Sequence, residues 1–164
     1  MQNTKKLTIA EKKKLRKEFI TRMDKMTSLV VRCRDSKCAS CGKNIPFKER
    51  QNGHFIGRAF LPTRFDLVNC NVECCSCNVY SPDHLVGYSA YILKHYGKKE
   101  FDRLTKLHND YKNGKVKNSI PIDEALYLYR NMWRLTRQMI LTRNVKDFPA
   151  SWADYSKYEA LDYI

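Results

Sequence analysis

The sequence contains no run of apolar residues that approaches the roughly 20 needed to cross a membrane. Its first residues, MQNTKKLTIAEKKKLRKEF, also lack the continuous apolar segment of a secretory signal. We therefore expect no membrane association and a location in the cytoplasm. Internal repeats and low-complexity segments are absent as well, which argues against a repeat architecture.

Acidic residues are scarce relative to basic ones. Aspartate and glutamate total 17, whereas lysine and arginine total 31, which leaves a formal charge of +14 on 164 residues. Such an excess favours polyanionic partners. Because the basic residues are spread over most of the chain, nucleic acid is favoured over a membrane surface or a charge that serves only solubility.

The chain divides into three regions, which we expect to form one domain with appended helices. Residues 1–32 form a basic N-terminal helical region, residues 33–97 contain all seven cysteines, and residues 98–164 form a helical C-terminal region. A hydrophobic content of 43% allows a modest core.

A helix is predicted over residues 8–31. Thr8 and Glu11 have the spacing of a capping box, in which both side chains satisfy free N–H groups of the first turn. An apolar stripe recurs at helical spacing, formed by Leu15, Phe19, Met23, Met26 and Val30. The lysines and arginines that fill most of the remaining surface are compatible with a solvated face or with phosphate contacts.

The cysteine region is expected to begin with turns at residues 41–44 and 51–53, followed by a short strand at 54–56. Irregular chain is expected from Leu61 to Asn78. A helix should start near Ser81-Pro82-Asp83, because proline is favoured in a first helical turn, and it should end at Gly97.

The C-terminal region is expected to contain two helices. The first covers residues 98–109 and ends before Asn113-Gly114, and the second covers residues 121–143 with an apolar stripe. The tail, residues 148–164, is rich in aromatic residues and is expected to dock on the body of the protein.

Two CxxC pairs stand on either side of residues 42–73. The two-residue gap lets both thiolates of a pair point at one ion while backbone N–H groups contact the sulfurs. Two such pairs complete a closed tetrahedral site, which is typical of structural zinc and leaves no position for catalysis. Binding free energies of such sites are on the order of 10–16 kcal/mol. We predict one structural Zn²⁺ held by Cys38, Cys41, Cys74 and Cys77.

The remaining cysteines, Cys33, Cys70 and Cys75, are interpreted as small buried apolar residues. Cys75 introduces an ambiguity of register, although only Cys74 has the CxxC gap to Cys77. A disulfide framework is disfavoured in a reducing compartment, and a redox role is disfavoured because no βαβ pattern surrounds either pair.

A histidine and two asparagines have a fixed order relative to the cysteines. His54 follows the first pair, Asn69 precedes the second pair, and Asn78 comes directly after it. This order resembles the HNH (ββα-metal) endonucleases in their H-N-N form. The resemblance implies an α+β fold that is mostly helical, with a small zinc-stapled ββα-metal core and flanking α-helices.

Longer segments, GHFIGRAFLPTRFDLVNCNVECCSCN and HLVGYSAYILKHYGKKEFDRL, resemble the phage NinG (Rap) recombination proteins. The resemblance covers about residues 33–107 and is weaker on both sides of that range. It implies a phage-encoded, structure-selective endonuclease that acts on branched recombination intermediates in the host cytoplasm. The shared elements are His54, Arg64-Phe65-Asp66, Asn69, Cys74, Cys77, Asn78 and Tyr96-Gly97.

Phosphodiester hydrolysis needs an activated water and a cation that neutralises charge on the phosphate. His54 is the predicted general base, because a neutral imidazole suits that role near pH 7. Asn78 is predicted to bind Mg²⁺ or Mn²⁺ through its amide oxygen, and Asn69 to hold the loop that aims His54. Arg58 and Arg64 are predicted to contact DNA phosphates.

Gly53 departs from the family pattern, because many HNH enzymes have a metal-binding Asp or His directly before the base. Asp66 is the acidic candidate for the missing ligand; its alternative role is a salt bridge or turn cap. His54 itself as a metal ligand is a further alternative. Three other histidines fall on predicted helices and are given no site role: His84, His95 and His108.

Two functions remain open. One is a Mg²⁺-dependent endonuclease that cuts branched DNA, such as Holliday junctions and D-loops; the other is a non-catalytic zinc-ribbon DNA-binding recombination mediator. The basic charge and the cysteines suit both, and only His54, Asn69 and Asn78 separate them. A homodimer, with an interface in the helical C-terminal third, and contacts with other recombination proteins are expected by analogy.

Overall fold

A computed structural model describes residues 7–143 and 148–164. Within these ranges the chain is mostly helical with one two-stranded antiparallel sheet, so the predicted α+β class is confirmed. No helix in these ranges is both long and apolar enough to span a bilayer. The principal elements are α1 (Ile9–Arg34), β1 (Gln51–His54), α2 (Leu61–Arg64), β2 (Cys70–Glu73), α3 (His84–Lys112) and α4 (Ile122–Arg143).

The predicted N-terminal helix is confirmed and extends three residues further than expected. Thr8 and Glu11 form the predicted capping box, with the Thr8 N–H donating to the Glu11 carboxylate over 2.8 Å and the Glu11 N–H donating to Thr8 Oγ1 over 3.2 Å. Phe19, Met23 and Met26 are fully buried. The apolar stripe of α1 therefore faces the core, and its basic residues lie on the remaining faces.

The strands differ from the sequence-based expectation. β1 and β2 pair antiparallel, with Gln51 opposite Glu73 and His54 opposite Cys70. The expected turn at residues 51–53 is therefore strand, and both α2 and β2 lie in a stretch expected to be irregular. Each strand has only four residues, which is too short for an alternating pattern to stand out, and pairing between distant residues decides the outcome.

Helix α3 begins at His84 and is interrupted at Gly97, where the helix was expected to end. Gly97 has φ of +83°, which breaks the helical path and redirects the following turns. The helical segment predicted over residues 98–109 continues from there to Lys112. Asn113 caps the end of α3 and is followed by Gly114, with φ of +72°, so the predicted break at Asn113-Gly114 is confirmed.

The main core is built from α1, α4 and the C-terminal tail. Tyr158 is fully buried, and its ring lies 5.2 Å from Phe19 and 5.9 Å from Tyr129, measured between centroids. Ile164 closes the arrangement by exchanging two backbone hydrogen bonds with Ile120, of 2.8 and 3.0 Å. The predicted docking of the aromatic tail is confirmed for its described residues.

A second cluster lies between α3 and the loop after β1. Tyr88 and Ile92 of α3 are buried against Ile56 and Phe60 of that loop. Helix α1 packs on the other side and contacts both strands. The short hairpin is therefore held between two long helices, which compensates for the marginal stability of an isolated two-stranded sheet.

The tail's contribution to the core predicts the effect of removing Tyr158. Tyr158→Ala should lower the free energy of unfolding by about 3–5 kcal/mol, since a fully buried aromatic ring is lost and a cavity remains. Tyr127→Ala is the matched control, because Tyr127 is 61% exposed on α4 and its loss should change stability by less than about 0.5 kcal/mol. Urea unfolding measures both. Equal small effects would contradict the docked tail.

Candidate active site

The four cysteines of the two CxxC pairs converge. Their sulfur atoms all lie within 4.8 Å of one another, and the Sγ atoms of Cys41 and Cys74 are 4.0 Å apart. Four sulfurs bound to one zinc ion at 2.3 Å are separated by roughly 3.8 Å. The cluster, Cys38, Cys41, Cys74 and Cys77, is therefore close enough to hold a metal ion such as zinc.

Backbone hydrogen bonds shape the turn that presents the first pair. The Gly42 N–H donates to the Cys38 carbonyl over 2.9 Å, and Gly42 takes φ of +74°, which favours glycine at this position. The Cys74 N–H donates to Cys38 Sγ over 3.4 Å, and the Ala39 N–H donates to the Val72 carbonyl over 2.8 Å. The two pairs are thus joined to each other and to the end of β2.

The other cysteines behave in two ways. Cys33 and Cys70 are buried, as expected, and burial raises the pKa of the Cys70 thiol far above its ordinary value. Cys75 is exposed, so its predicted role as a buried apolar residue is wrong. Cys75 is also outside the four-cysteine cluster, which resolves the register of the second pair in favour of Cys74 and Cys77.

A cleft of about 570 Å³ opens beside the cysteine cluster. It lies between the end of β1, the π-helical turn Ser76–Tyr80 and the start of α3. His54 and Asn78, which the sequence places 24 positions apart, both line this cleft. The remaining lining residues are Asn52, Phe55, Gly57, Arg58, Val79, His84 and Leu85.

The His54 ring is oriented by the backbone. Its Nε2 atom lies 3.0 Å from the Arg64 carbonyl oxygen. A carbonyl only accepts, so Nε2 must carry the proton in this contact, and in the neutral ring Nδ1 then holds the lone pair. Burial lowers the pKa of His54 below the ordinary imidazole value, which keeps the ring neutral near pH 7. The arrangement provides a proton acceptor at the cleft.

Asn69 ties together the loop that follows His54. It is fully buried, and its Oδ1 accepts from the Ile56 N–H over 2.7 Å. Its Nδ2 donates to the carbonyls of Ile56 and Thr63, each over 3.0 Å. One side-chain amide therefore binds the backbone near the end of β1 and the backbone of α2. These hydrogen bonds fix the loop between the two elements, which is the kind of contact expected of Asn69.

Asn78 follows Cys77 in the π-helical turn. Its Nδ2 donates to Gln51 Oε1 over 2.7 Å, and its backbone N–H donates to the Cys74 carbonyl over 2.9 Å. This orientation uses the amide nitrogen in a protein contact. The amide oxygen, Oδ1, is the atom that the side chain has left for a ligand.

The two arginines expected to contact phosphates are placed differently. Arg58 is exposed and lines the cleft. Arg64 instead forms a two-pronged ion pair with the Asp24 carboxylate, at 2.9 and 2.7 Å, and donates to the Arg58 carbonyl over 2.8 Å. Its guanidinium therefore joins α1 to the loop. Because its charge and its donors are engaged within the protein, Arg64 is not placed as a phosphate contact.

Asp66 does not line the cleft. Its Oδ2 accepts from Arg103 over 2.6 Å and its Oδ1 accepts from the Val68 N–H over 2.8 Å. These contacts correspond to the salt bridge and turn cap that were the alternative to metal binding. Both carboxylate oxygens are engaged in these contacts, so we do not propose Asp66 as a ligand in the cleft.

Glu73 and His84 are site residues that sequence reasoning missed. Glu73 ends β2, is fully buried, and its Oε1 lies 3.1 Å from His84 Nδ1, while His84 itself lines the cleft. From the sequence, His84 is expected on a helix without a site role. The available signal is that a glutamate directly precedes the second CxxC pair.

Comparison with protein families matches residues 2–131 to the family described as "Bacteriophage Lambda NinG protein". "Protein ninG" of Escherichia phage 933W and "Protein ninG" of Enterobacteria phage VT2-Sa are each 30% identical to this chain over 82 residues. The matched region is 49% of this chain and 40% of each relative, so the chain covers less than half the length of these relatives. No solved structure matches the chain.

The cysteine geometry predicts one zinc ion per chain, and a loss of folding when a ligand is removed. Cys38→Ser and Cys74→Ser should each abolish zinc retention and the cooperative unfolding transition. Cys75→Ser is the matched control, since this neighbouring thiol is exposed and lies outside the cluster. Elemental analysis and circular dichroism measure both effects. A folded wild-type protein without zinc, or zinc loss in Cys75→Ser alone, would contradict the assignment.

Proposed function

We propose that this chain, which belongs to the NinG family of bacteriophage proteins, is a metal-dependent DNA endonuclease of phage recombination. Its substrates would be phosphodiester bonds in branched DNA such as Holliday junctions and D-loops. The main support is that His54 and Asn78 line one cleft next to the four-cysteine cluster. A proton acceptor and an amide oxygen thereby face the same space.

The arrangement of elements supports an HNH-like (ββα-metal) core. The antiparallel pair β1–β2 is followed by a turn that carries the second cysteine pair and then by α3. His54 ends the first strand and Asn78 stands in the turn before the helix, in the order that the H-N-N pattern requires. Zinc in the closed cysteine cluster serves folding and takes no part in the reaction.

His54 is the general base in this proposal. Its Nδ1 accepts a proton from a water as the water oxygen bonds to phosphorus and the bond to the departing sugar oxygen breaks. The Arg64 carbonyl holds Nε2–H and so prevents the ring from turning. Asn69 keeps the following loop in place, which preserves the position of the base.

Asn78 is the proposed protein ligand of a catalytic divalent cation, Mg²⁺ or Mn²⁺. The amide nitrogen of Asn78 is bound to Gln51, so the amide oxygen is the atom that can bind a cation. Oxygen is the ligand atom that hard cations prefer. When bound, the cation would neutralise charge on the phosphate and on the departing oxygen.

Arg58 is the proposed phosphate contact at the cleft. Its position at the lining, together with the net charge of +14, suits the approach of a polyanionic strand. Phosphate contacts carry no sequence information, so recognition would depend on the shape of the branched substrate. A homodimer that makes paired incisions, and contacts with other recombination proteins, belong to the same proposal.

The second candidate is a non-catalytic zinc-ribbon DNA-binding mediator. Gly53 favours it, because this position before His54 lacks the carboxylate or imidazole that many HNH enzymes have there. Both candidates predict DNA binding. Only the first predicts a cut that depends on the cation and on His54.

Cleavage assays with His54→Ala separate the two candidates. Synthetic four-way junctions, D-loops and linear duplex are incubated with Mg²⁺ or with EDTA. We expect Mg²⁺-dependent nicking of branched DNA that falls by about 10²–10⁴-fold in His54→Ala, the usual contribution of a general base. DNA binding should be retained, since the substitution removes no charge of the basic surface.

His95→Ala is the matched control for this experiment. His95 is exposed on α3 and stacks on Tyr91 at 4.2 Å, away from the lining of the cleft. Its substitution should leave both binding and nicking unchanged. Residual nicking by His54→Ala equal to that of the wild type would remove His54 from the mechanism, and binding without any cation-dependent cut would favour the mediator.

The pKa of His54 predicts the pH dependence of cleavage. Burial lowers this pKa below the ordinary value of 6.5, so the neutral, active form of the base persists into more acidic solution. We expect the acidic limb of the rate profile to have its midpoint below about pH 6.5. A buffer series at saturating Mg²⁺ measures the profile. A midpoint well above that value would contradict His54 as the base.

A further inference from the structure

One buried carboxylate oxygen has no hydrogen-bond partner within residues 7–143 and 148–164. Glu73 is fully buried at the end of β2, and its Oε1 accepts hydrogen bonds from Ser40 Oγ and from His84 Nδ1. Its Oε2 is buried and has no hydrogen-bond partner among the described residues. A buried carboxylate oxygen left unpaired is costly, so such an atom calls for a cationic or donor ligand.

Gly53 makes the space in which that oxygen lies. A Cβ atom at Gly53 would stand 2.1 Å from Glu73 Oε2, which is far too close for a real contact. Gly53 and Glu73 share one face of the hairpin, because Gly53 is opposite Asn71 and Glu73 is two residues further along β2. The carboxylate of Glu73 therefore occupies the position where a side chain at Gly53 would otherwise lie.

The candidate cation ligand Asn78 joins the same face. Gln51 is directly opposite Glu73 in the register of the hairpin, and its side chain accepts the hydrogen bond from Asn78. His84, which contacts Glu73, lines the cleft together with Asn78. Glu73 therefore lies directly behind His84 and Gln51, the residues that connect it to the cleft and to Asn78. Carboxylate and amide oxygens are both ligands that Mg²⁺ and Mn²⁺ prefer.

We propose that Glu73, whose carboxylate fits against Gly53, supplies through Oε2 the carboxylate ligand of a hard divalent cation that Asn78 also binds. Ser40 and His84 are positioning residues that hold Oε1 and so direct Oε2. The inference rests on the proposed nuclease and assigns the cation site that its sequence pattern leaves without an acidic residue. The carboxylate comes from the second strand instead of from the residue before the base.

A purely structural role for Glu73 explains only half of its contacts. Through Oε1 the side chain joins the cysteine turn to the start of α3, yet these two elements also touch directly. A Cβ at Gly87 would stand 1.9 Å from the Ser40 carbonyl oxygen, so the helix already lies against the turn. The structural contact leaves Oε2 unexplained, and a substitution that keeps the shape of the side chain separates the two roles.

The test is a titration of the zinc-loaded protein with Mn²⁺, in which EPR measures the free ion. Glu73→Gln keeps an acceptor oxygen for Ser40 and His84 but removes the charge. We expect its Mn²⁺ affinity to fall by about tenfold or more, with zinc content and circular dichroism unchanged. Glu159→Gln, at an exposed carboxylate of the tail, is the matched control and should bind Mn²⁺ as the wild type does.

A folded, zinc-loaded Glu73→Gln protein that binds Mn²⁺ as tightly as the wild type overturns the inference, and so does a wild type that binds no Mn²⁺. If Glu73→Gln fails to fold, Gly53→Ala takes its place, because the added Cβ displaces Oε2 while the carboxylate remains. Unchanged Mn²⁺ affinity in a folded Gly53→Ala protein again overturns the inference.

His54→Ala distinguishes this inference from the proposed nuclease. We expect this variant to bind Mn²⁺ normally while losing cleavage, since His54 is assigned to the proton and not to the cation. Mn²⁺ binding that depends on Glu73 in a protein that cuts no DNA would keep the cation site and reject the nuclease. Cleavage that requires His54 but does not change in Glu73→Gln would keep the nuclease and reject the cation site at Glu73.

Discussion

The convergence of four cysteine sulfurs is the constraint on which the rest of the site depends. Cys74 directly follows Glu73, and Asn78 directly follows Cys77, so any ion in the cluster fixes both the end of β2 and the turn before α3. The hairpin itself has only four residue pairs. Zinc binding on the order of 10–16 kcal/mol is comparable to the entire stability of a typical domain, about 5–15 kcal/mol.

Buried polar contacts hold the loop beside the cleft in place. Asn69 binds backbone at both ends of the loop that follows His54, and the Arg64 carbonyl fixes the ring of His54. Arg64 is in turn held by Asp24 of α1. The N-terminal helix therefore supports the loop beside the cleft. In the proposed nuclease, a base held in this way would be preorganised before the substrate arrives.

Features carried by local spacing could be predicted from the sequence. Within each CxxC pair the short gap brings the two sulfurs together. Thr8 and Glu11 cap α1 because they lie in one helical turn. The strands escaped prediction because four-residue segments give no clear alternation. Glu73 escapes prediction for a related reason: its place opposite Gln51 depends on the register of β1 against β2, and no local pattern encodes that register.

Anomalous diffraction from crystals grown with zinc and soaked in MnCl₂ would locate both proposed ions. Data collected at the zinc and manganese absorption edges distinguish the two ions by element. We expect a zinc peak enclosed by the four sulfurs and a separate manganese peak at the cleft, in contact with Glu73 and Asn78 and within reach of a water near His54. Manganese density elsewhere, or none in the cleft, would contradict a catalytic centre at this place.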